Sequence, residues 1–205
     1  MMKKILVNAF FALLFASVIL GAGSVRAATH DVTLTTTVQT YLTFDITAGD
    51  TVSFGNLTPG TPIKAPATGT IASVTTNAAN GYTIGLSDAT AAPNSSMRHT
   101  DTTTYIAKYA GTIAVPTTWS GTGVGATCFA GDHKDTDQWG TGTTYDDVNN
   151  KYAGVPQAAT TAYTVTGLHA SADTSSWAFE IDVPNTQKTG AYSGTVTFTA
   201  TAVLS

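Results

Sequence analysis

Five aspartates, Asp132, Asp135, Asp137, Asp146 and Asp147, crowd into residues 132–147. Oxygen-rich loops of this kind suit a hard cation such as Ca²⁺. No fixed-interval calcium loop is present and the stretch holds no Glu. The composition therefore implies no cofactor, with calcium as the one ion it leaves open. Trp139 stands in the middle of the same stretch, with Tyr145 and Tyr152 nearby. An exposed ring flanked by carboxylates can grip a sugar, the ring stacking while the carboxylates take hydroxyls. Trp139, Tyr145, Asp135 and Asp137 are thus the candidate ligand-binding residues. The competing reading is an aromatic cluster packed under a long loop.

Other reactive side chains assemble into nothing. His30, His99, His133 and His169 are scattered, without the paired spacing of a zinc site. His133 stands beside Asp132 and Asp135, where it could bind a metal or act as a base, but a lone solvent-facing His is the plainer reading. Cys128 lies five residues before His133, and no motif orients the two as a thiol nucleophile and base. No nucleophile-elbow pattern surrounds any Ser. Gly121-Thr122-Gly123-Val124-Gly125 opens no helix and lacks the Lys of a phosphate loop. No catalytic residue can be named, and the chain reads as a non-enzyme.

The N-terminus says where the chain goes. Lys3 and Lys4 precede an almost wholly apolar run, Ile5 to Leu20, and the segment ends in Val25-Arg26-Ala27. This is the layout of a cleavable secretory signal over residues 1–27. A retained anchor is the alternative, because the run approaches the about 20 apolar residues of a membrane span. Residues 28–205 then carry six basic and thirteen acidic side chains, a net charge of −7. So sparse and acidic a surface excludes nucleic acid and anionic membrane as partners. Cys128 is the sole cysteine, so no internal disulfide forms, and burial as a small apolar residue is its expected fate.

Thr makes up about a fifth of the chain, and helix formers are scarce after residue 30. That composition favours pleated strands. Val32, Leu34, Thr36 and Val38 alternate with Thr33, Thr35 and Thr37, a period-two strand pattern. Further strands are expected at 42–46, 52–55, 71–75, 82–86, 163–165, 177–183 and 192–204. Asn77 to Gly81 reads as the turn of a hairpin spanning Ile71 to Leu86. Pro62 and Pro66 keep their stretch out of central strands. Residues 87–160 lose the alternation and read as a long, elaborated insertion. The predicted fold is all-β: an Ig-like Greek-key β-sandwich in a single domain, residues 28–205.

The run Phe54-Gly55-Asn56-Leu57-Thr58-Pro59-Gly60 leads into Ile71–Val74, Thr76-Asn77-Ala78 and Asn80-Gly81-Tyr82-Thr83-Ile84. Val183-Pro184, Thr189-Gly190-Ala191-Tyr192 and Thr195 to Ala200 follow much later. This layout resembles secreted bacterial β-sandwich surface proteins, namely the WxL-type cell-wall proteins and the spore coat protein U-like pilins. The cysteines that the second group usually carries near the core hairpin are absent. The resemblance implies an exported structural protein of the cell surface or extracellular space, such as a surface-layer or pilus-like subunit. Its partner would be a further copy of itself through strand exchange, with Val32, Leu34 and Val38 on the assembly strand. The alternative is that Asp31 to Val38 is the first strand of its own sandwich. A second functional reading is an adhesin that binds surface glycans through the 87–160 insertion.

Overall fold

The computed structural model describes residues 30–89 and 95–204. The expected signal at 1–27 lies outside the described residues. Two compact units divide the chain, one ending at Val38 and one beginning at Gln39. Residues 30–38 of the first are exposed and form no strand. The strand expected at Val32–Val38 is therefore not formed here. Alternation marks which face of a strand would be buried, but a strand also needs a partner for its backbone groups.

The second unit is almost entirely β. In chain order it holds β1 (Leu42–Ala48), β2 (Ile63–Thr76), β3 (Tyr82–Asp88), β4 (Ser95–His99), β5 (Tyr105–Ala107), β6 (Thr117–Thr118) and β7 (Gly123–Gly131). One helical turn, α1 (Thr136–Trp139), follows. Then come β8 (Lys151–Tyr152), β9 (Thr160–Val165), β10 (His169–Asp182), β11 (Tyr192–Ser193) and β12 (Val196–Ala202). An antiparallel sheet in the order β1-β2-β10-β7 faces a second in the order β12-β3-β9. Two smaller sheets, β11-β4-β5 and β6-β8, complete the unit.

Period-two patterning builds the core between the two larger sheets. Ala72 and Val74 of β2, and Trp177 and Phe179 of β10, point inward from one; Tyr82, Ile84 and Leu86 of β3, and Tyr163 and Val165 of β9, meet them from the other. Trp177 bridges the layers, making edge contacts to Tyr163 and Phe198 with ring centroids 6.4 and 5.6 Å apart. Such edge-to-face pairs add to the area that the rings already bury.

Three local expectations are corrected. Ile71 to Leu86 is not a hairpin: β2 pairs with β1 and β10, whereas β3 pairs with β12 and β9. Both segments bury one face in the same core, so the Asn77–Gly81 turn carries the chain across the interior rather than along a sheet. Gly81 makes the crossing possible. Its φ is +84°, and a Cβ there would lie 2.0 Å from the Val165 carbonyl oxygen. Pro66 does lie within a central strand, β2. It is tolerated because the pairing with β10 passes from Ala65 directly to Thr70, and that with β1 begins only at Ile71. Pro66 thus falls where neither ladder asks for its missing N–H. The final strand is interrupted. β11 belongs to the small sheet and β12 to the larger one, with Gly194 between them so close to β4 that a Cβ would meet the Ser96 carbonyl oxygen at 2.1 Å.

Candidate functional site

The 87–160 insertion contributes to the core instead of standing apart as a recognition surface. Trp139 is fully buried. Its ring sits edge-on to Trp177 at 5.3 Å, and its indole Nε1 donates to the Ala162 carbonyl of β9 at 2.9 Å. Ile113, Ala153 and Val155 join the same core cluster. These residues from before and after β7 thereby plug the flank where β7 and β9, the outer strands of the two sheets, end the sandwich. Trp139 is not an exposed ring, which removes the platform from the expected sugar site.

The other three residues of that set have structural partners or none. Asp135 is the N-cap of α1, its carboxylate accepting from the backbone N–H groups of Asp137 and Gln138 at 2.9 and 3.1 Å. That bond satisfies donors the helical turn would otherwise leave open. Asp137 is exposed and Tyr145 half-buried. Asp147 accepts from the backbone of Thr143 and Asn149, and Asp146 from the Thr144 hydroxyl. These bonds hold the carboxyl of Asp147 below its ordinary range. The aspartates thus organise their own loop. Cys128 is fully buried, and burial pushes its thiol up to about 12. A thiol that does not ionise at neutral pH is no nucleophile.

The opposite flank is open. β1 and β12 are the outer strands there, each carrying a free edge among the described residues. Their inward rows, Phe44 and Ile46 on β1 and Val196 and Phe198 on β12, are only half-buried. At one end of this flank lies a cleft of about 300 Å³ with a mostly apolar lining, bounded by Ile46 of β1, Val196 and Phe198 of β12, Met97 of β4 and Phe179 of β10, and lined also by Val52 and Phe54. The strand expected at 52–55 is irregular chain on the rim of this cleft. In the first unit, Val32, Leu34 and Val38 are 81%, 89% and 80% exposed.

A third feature escaped sequence reasoning. His133 follows the end of β7, while His169 and Asp173 lie on β10, and the fold brings the three together. His133 Nε2 is 3.5 Å and His169 Nδ1 3.4 Å from Asp173 Oδ2. The imidazole rings meet edge-on at 4.8 Å. Asp173 is buried, and burial pushes its carboxyl up against the pull of both imidazoles and the nearby Tyr82 hydroxyl. Tyr82 is pushed up in turn by burial and then by Asp173. The expected company of His133, Asp132 and Asp135, was its sequence neighbourhood. The strand pairing that joins it to β10 has no short motif.

Among the described residues no helix is long and apolar enough to cross a membrane. No protein-family model matches the chain, and a search of curated proteins returns no relative.

Proposed function

We propose that the chain is an exported, non-enzymatic surface subunit that assembles with its own kind by strand addition. The exposed Asp31–Val38 segment of one copy lies in the open flank of the next, between β1 and β12. What carries this reading is the coexistence of two features: an apolar cleft on the flank where β1 and β12 end their sheets, and an exposed alternating row that pairs with no strand among the described residues. The lengths agree. Eight residues in strand conformation span about 26 Å, against about 23 Å for the seven residues of β1 or β12. Val32, Leu34 and Val38 fall on one face of such a strand, and burying them contributes about 4–9 kcal/mol before ordering and association costs. Main-chain hydrogen bonds to a free edge add register and direction. The resemblance to secreted β-sandwich surface proteins and the signal-like N-terminus point the same way. Glycan binding through the insertion keeps less support, since Trp139 lies in the core.

Light scattering on residues 28–205 and on a chain starting at Gln39 tests the proposal. Multimers are expected from the longer form and monomers from the shorter. A synthetic peptide of residues 30–38 should bind the shorter form, and its Leu34→Asp version should not. A monomeric longer form together with a peptide that does not bind refutes strand addition.

A further inference from the structure

His133 and His169 converge on one buried carboxylate oxygen, that of Asp173, at ion-pair rather than hydrogen-bond distance. A direct N–H···O hydrogen bond spans about 2.7–3.2 Å. Here both nitrogens stand farther off, at 3.5 and 3.4 Å, and they aim at the same carboxylate oxygen. No full-strength hydrogen bond reaches either oxygen of Asp173, although the side chain is only 3% exposed; the Tyr82 hydroxyl and the Asp132 carboxyl are its other polar neighbours. A buried carboxylate left in that state is costly. Two ligand atoms bound at 2.0–2.1 Å to one tetrahedral ion stand about 3.3–3.4 Å apart. The two separations lie within about 0.2 Å of that spacing. All three ligand atoms lie within 4.8 Å of one another, and His133, with its side chain 44% exposed, has room to turn and close the remaining edge.

The backbone around the cluster is fixed by contacts other than those of the ligand atoms. Asp132 accepts from the Thr174 backbone N–H at 3.0 Å, clamping the loop after β7 onto β10. The His133 N–H donates to the Tyr163 hydroxyl at 2.9 Å. His169 and Asp173 lie on one face of one strand, where regular geometry would set them about 13 Å apart; pairing with β2 lapses between them, and the bulge draws them together. Contacts of this outer kind orient metal ligands elsewhere.

We propose that His133 Nε2, His169 Nδ1 and Asp173 Oδ2 form a binding site for a divalent transition-metal ion of the zinc class. Two imidazoles and one carboxylate suit Zn²⁺, Co²⁺, Ni²⁺ or Cu²⁺, whereas Ca²⁺ and Mg²⁺ prefer all-oxygen ligands. Three protein ligands leave a coordination position open, and it faces solvent in the shallow depression lined by Leu168 and Ala170. The ion ties the loop after β7 to β10, next to the flank that Trp139 plugs. This inference is independent of strand addition, because the cluster lies away from the β1–β12 flank.

Zinc chloride titrated calorimetrically into the tag-free chain tests it, beside His133→Gln, His169→Gln and a His30→Gln control. Losing even an orienting partner weakens metal binding about 10–100-fold, so losing a ligand should cost at least the lower figure. The expected result is one ion per chain at micromolar affinity, weakened at least tenfold by either cluster substitution and unchanged in the control. Co²⁺ should give a visible absorption band in the wild-type chain and in His30→Gln, but not in the cluster variants. Circular dichroism confirms that each variant is folded; His133 is exposed enough to be replaced without disturbing the core. No saturable binding at millimolar zinc overturns the proposal. So does binding that survives both cluster substitutions, or that falls in only one of them, because the ion then sits elsewhere.

Discussion

Replacing Trp139 with Ala separates a core residue from a sugar platform. The side chain is fully buried. A buried Trp removes about 150–250 Å² from water, which at about 25 cal/mol per Å² corresponds to about 4–6 kcal/mol. The edge contact to Trp177 contributes about 1 kcal/mol more. The hydrogen bond to the Ala162 carbonyl contributes a similar amount. Partial collapse of the cavity returns some of this, so the expected loss is about 4 kcal/mol, within the about 3–5 kcal/mol seen for Trp or Phe truncations in cores. For a domain of this size that lowers the melting temperature by about 8–16 °C. Urea unfolding followed by far-ultraviolet circular dichroism reads it without relying on the fluorescence of the residue removed. Trp139→Phe keeps one six-membered ring but loses the pyrrole half of the indole with its N–H donor, so it should cost less than the Ala change, about 2–3 kcal/mol. A loss below about 1 kcal/mol for Trp139→Ala would refute the claim that this residue closes the β7–β9 flank. An exposed ligand-binding ring is expected to show that small value.

Two further outcomes follow from buried titratable groups. Glu180 is buried on β10, with Lys64 Nζ 3.8 Å from its Oε2, and burial holds its carboxyl above the ordinary range despite that ammonium. A raised folded value means that the native state binds the proton more tightly. The penalty is therefore complete above the folded value and disappears as pH falls through it towards the unfolded value. Glu180→Gln should be at least as stable as wild type at pH 8, and its advantage should shrink steadily in chemical-denaturation curves taken down to pH 4; an advantage that grows towards acid would reverse the sign. Cys128, buried and shifted to about 12, should resist iodoacetamide at pH 8 in the native chain and react stoichiometrically in urea, as mass spectrometry will show. Labelling at equal rates in both would mean that β7 opens readily.

What the sequence made legible was what short-range pattern encodes. Thr-rich alternation announced an all-β chain, and the alternating rows of β3 and β12 do face the core. Pairing was less legible, for a physical reason. The Asn80-Gly81 turn satisfies the local chemistry of a hairpin and equally that of an arch between layers. Only the burial of both Ala72–Val74 and Ile84–Leu86 in one interior distinguishes them. Its Asp and Gly neighbours leave Trp139 open to two readings, an exposed ring or one packed under its loop, and it is packed. Asp135 is spent on capping α1, and that turn aims the ring inward against Trp177. Polar neighbours in sequence describe the outside of a loop, not the direction of its largest side chain.

The same distinction governs the candidate sites. A metal motif is readable when its ligands share one helix or one turn, because spacing then fixes geometry. His133 and His169 share neither. They meet because β7 and β10 pair antiparallel up to Gly131 and Ser175, which brings the residues just past each end together. Asp173 completes the group as the buried residue on that end of β10. The cleft between β1 and β12 is likewise a property of strand order, since each inner row is an unremarkable alternating run. The Val32–Leu34–Val38 row was legible from the start, and only the structure shows that this apolar face is exposed. Chemistry carried by one segment can be read along the chain. Chemistry carried by pairing has to wait for the fold.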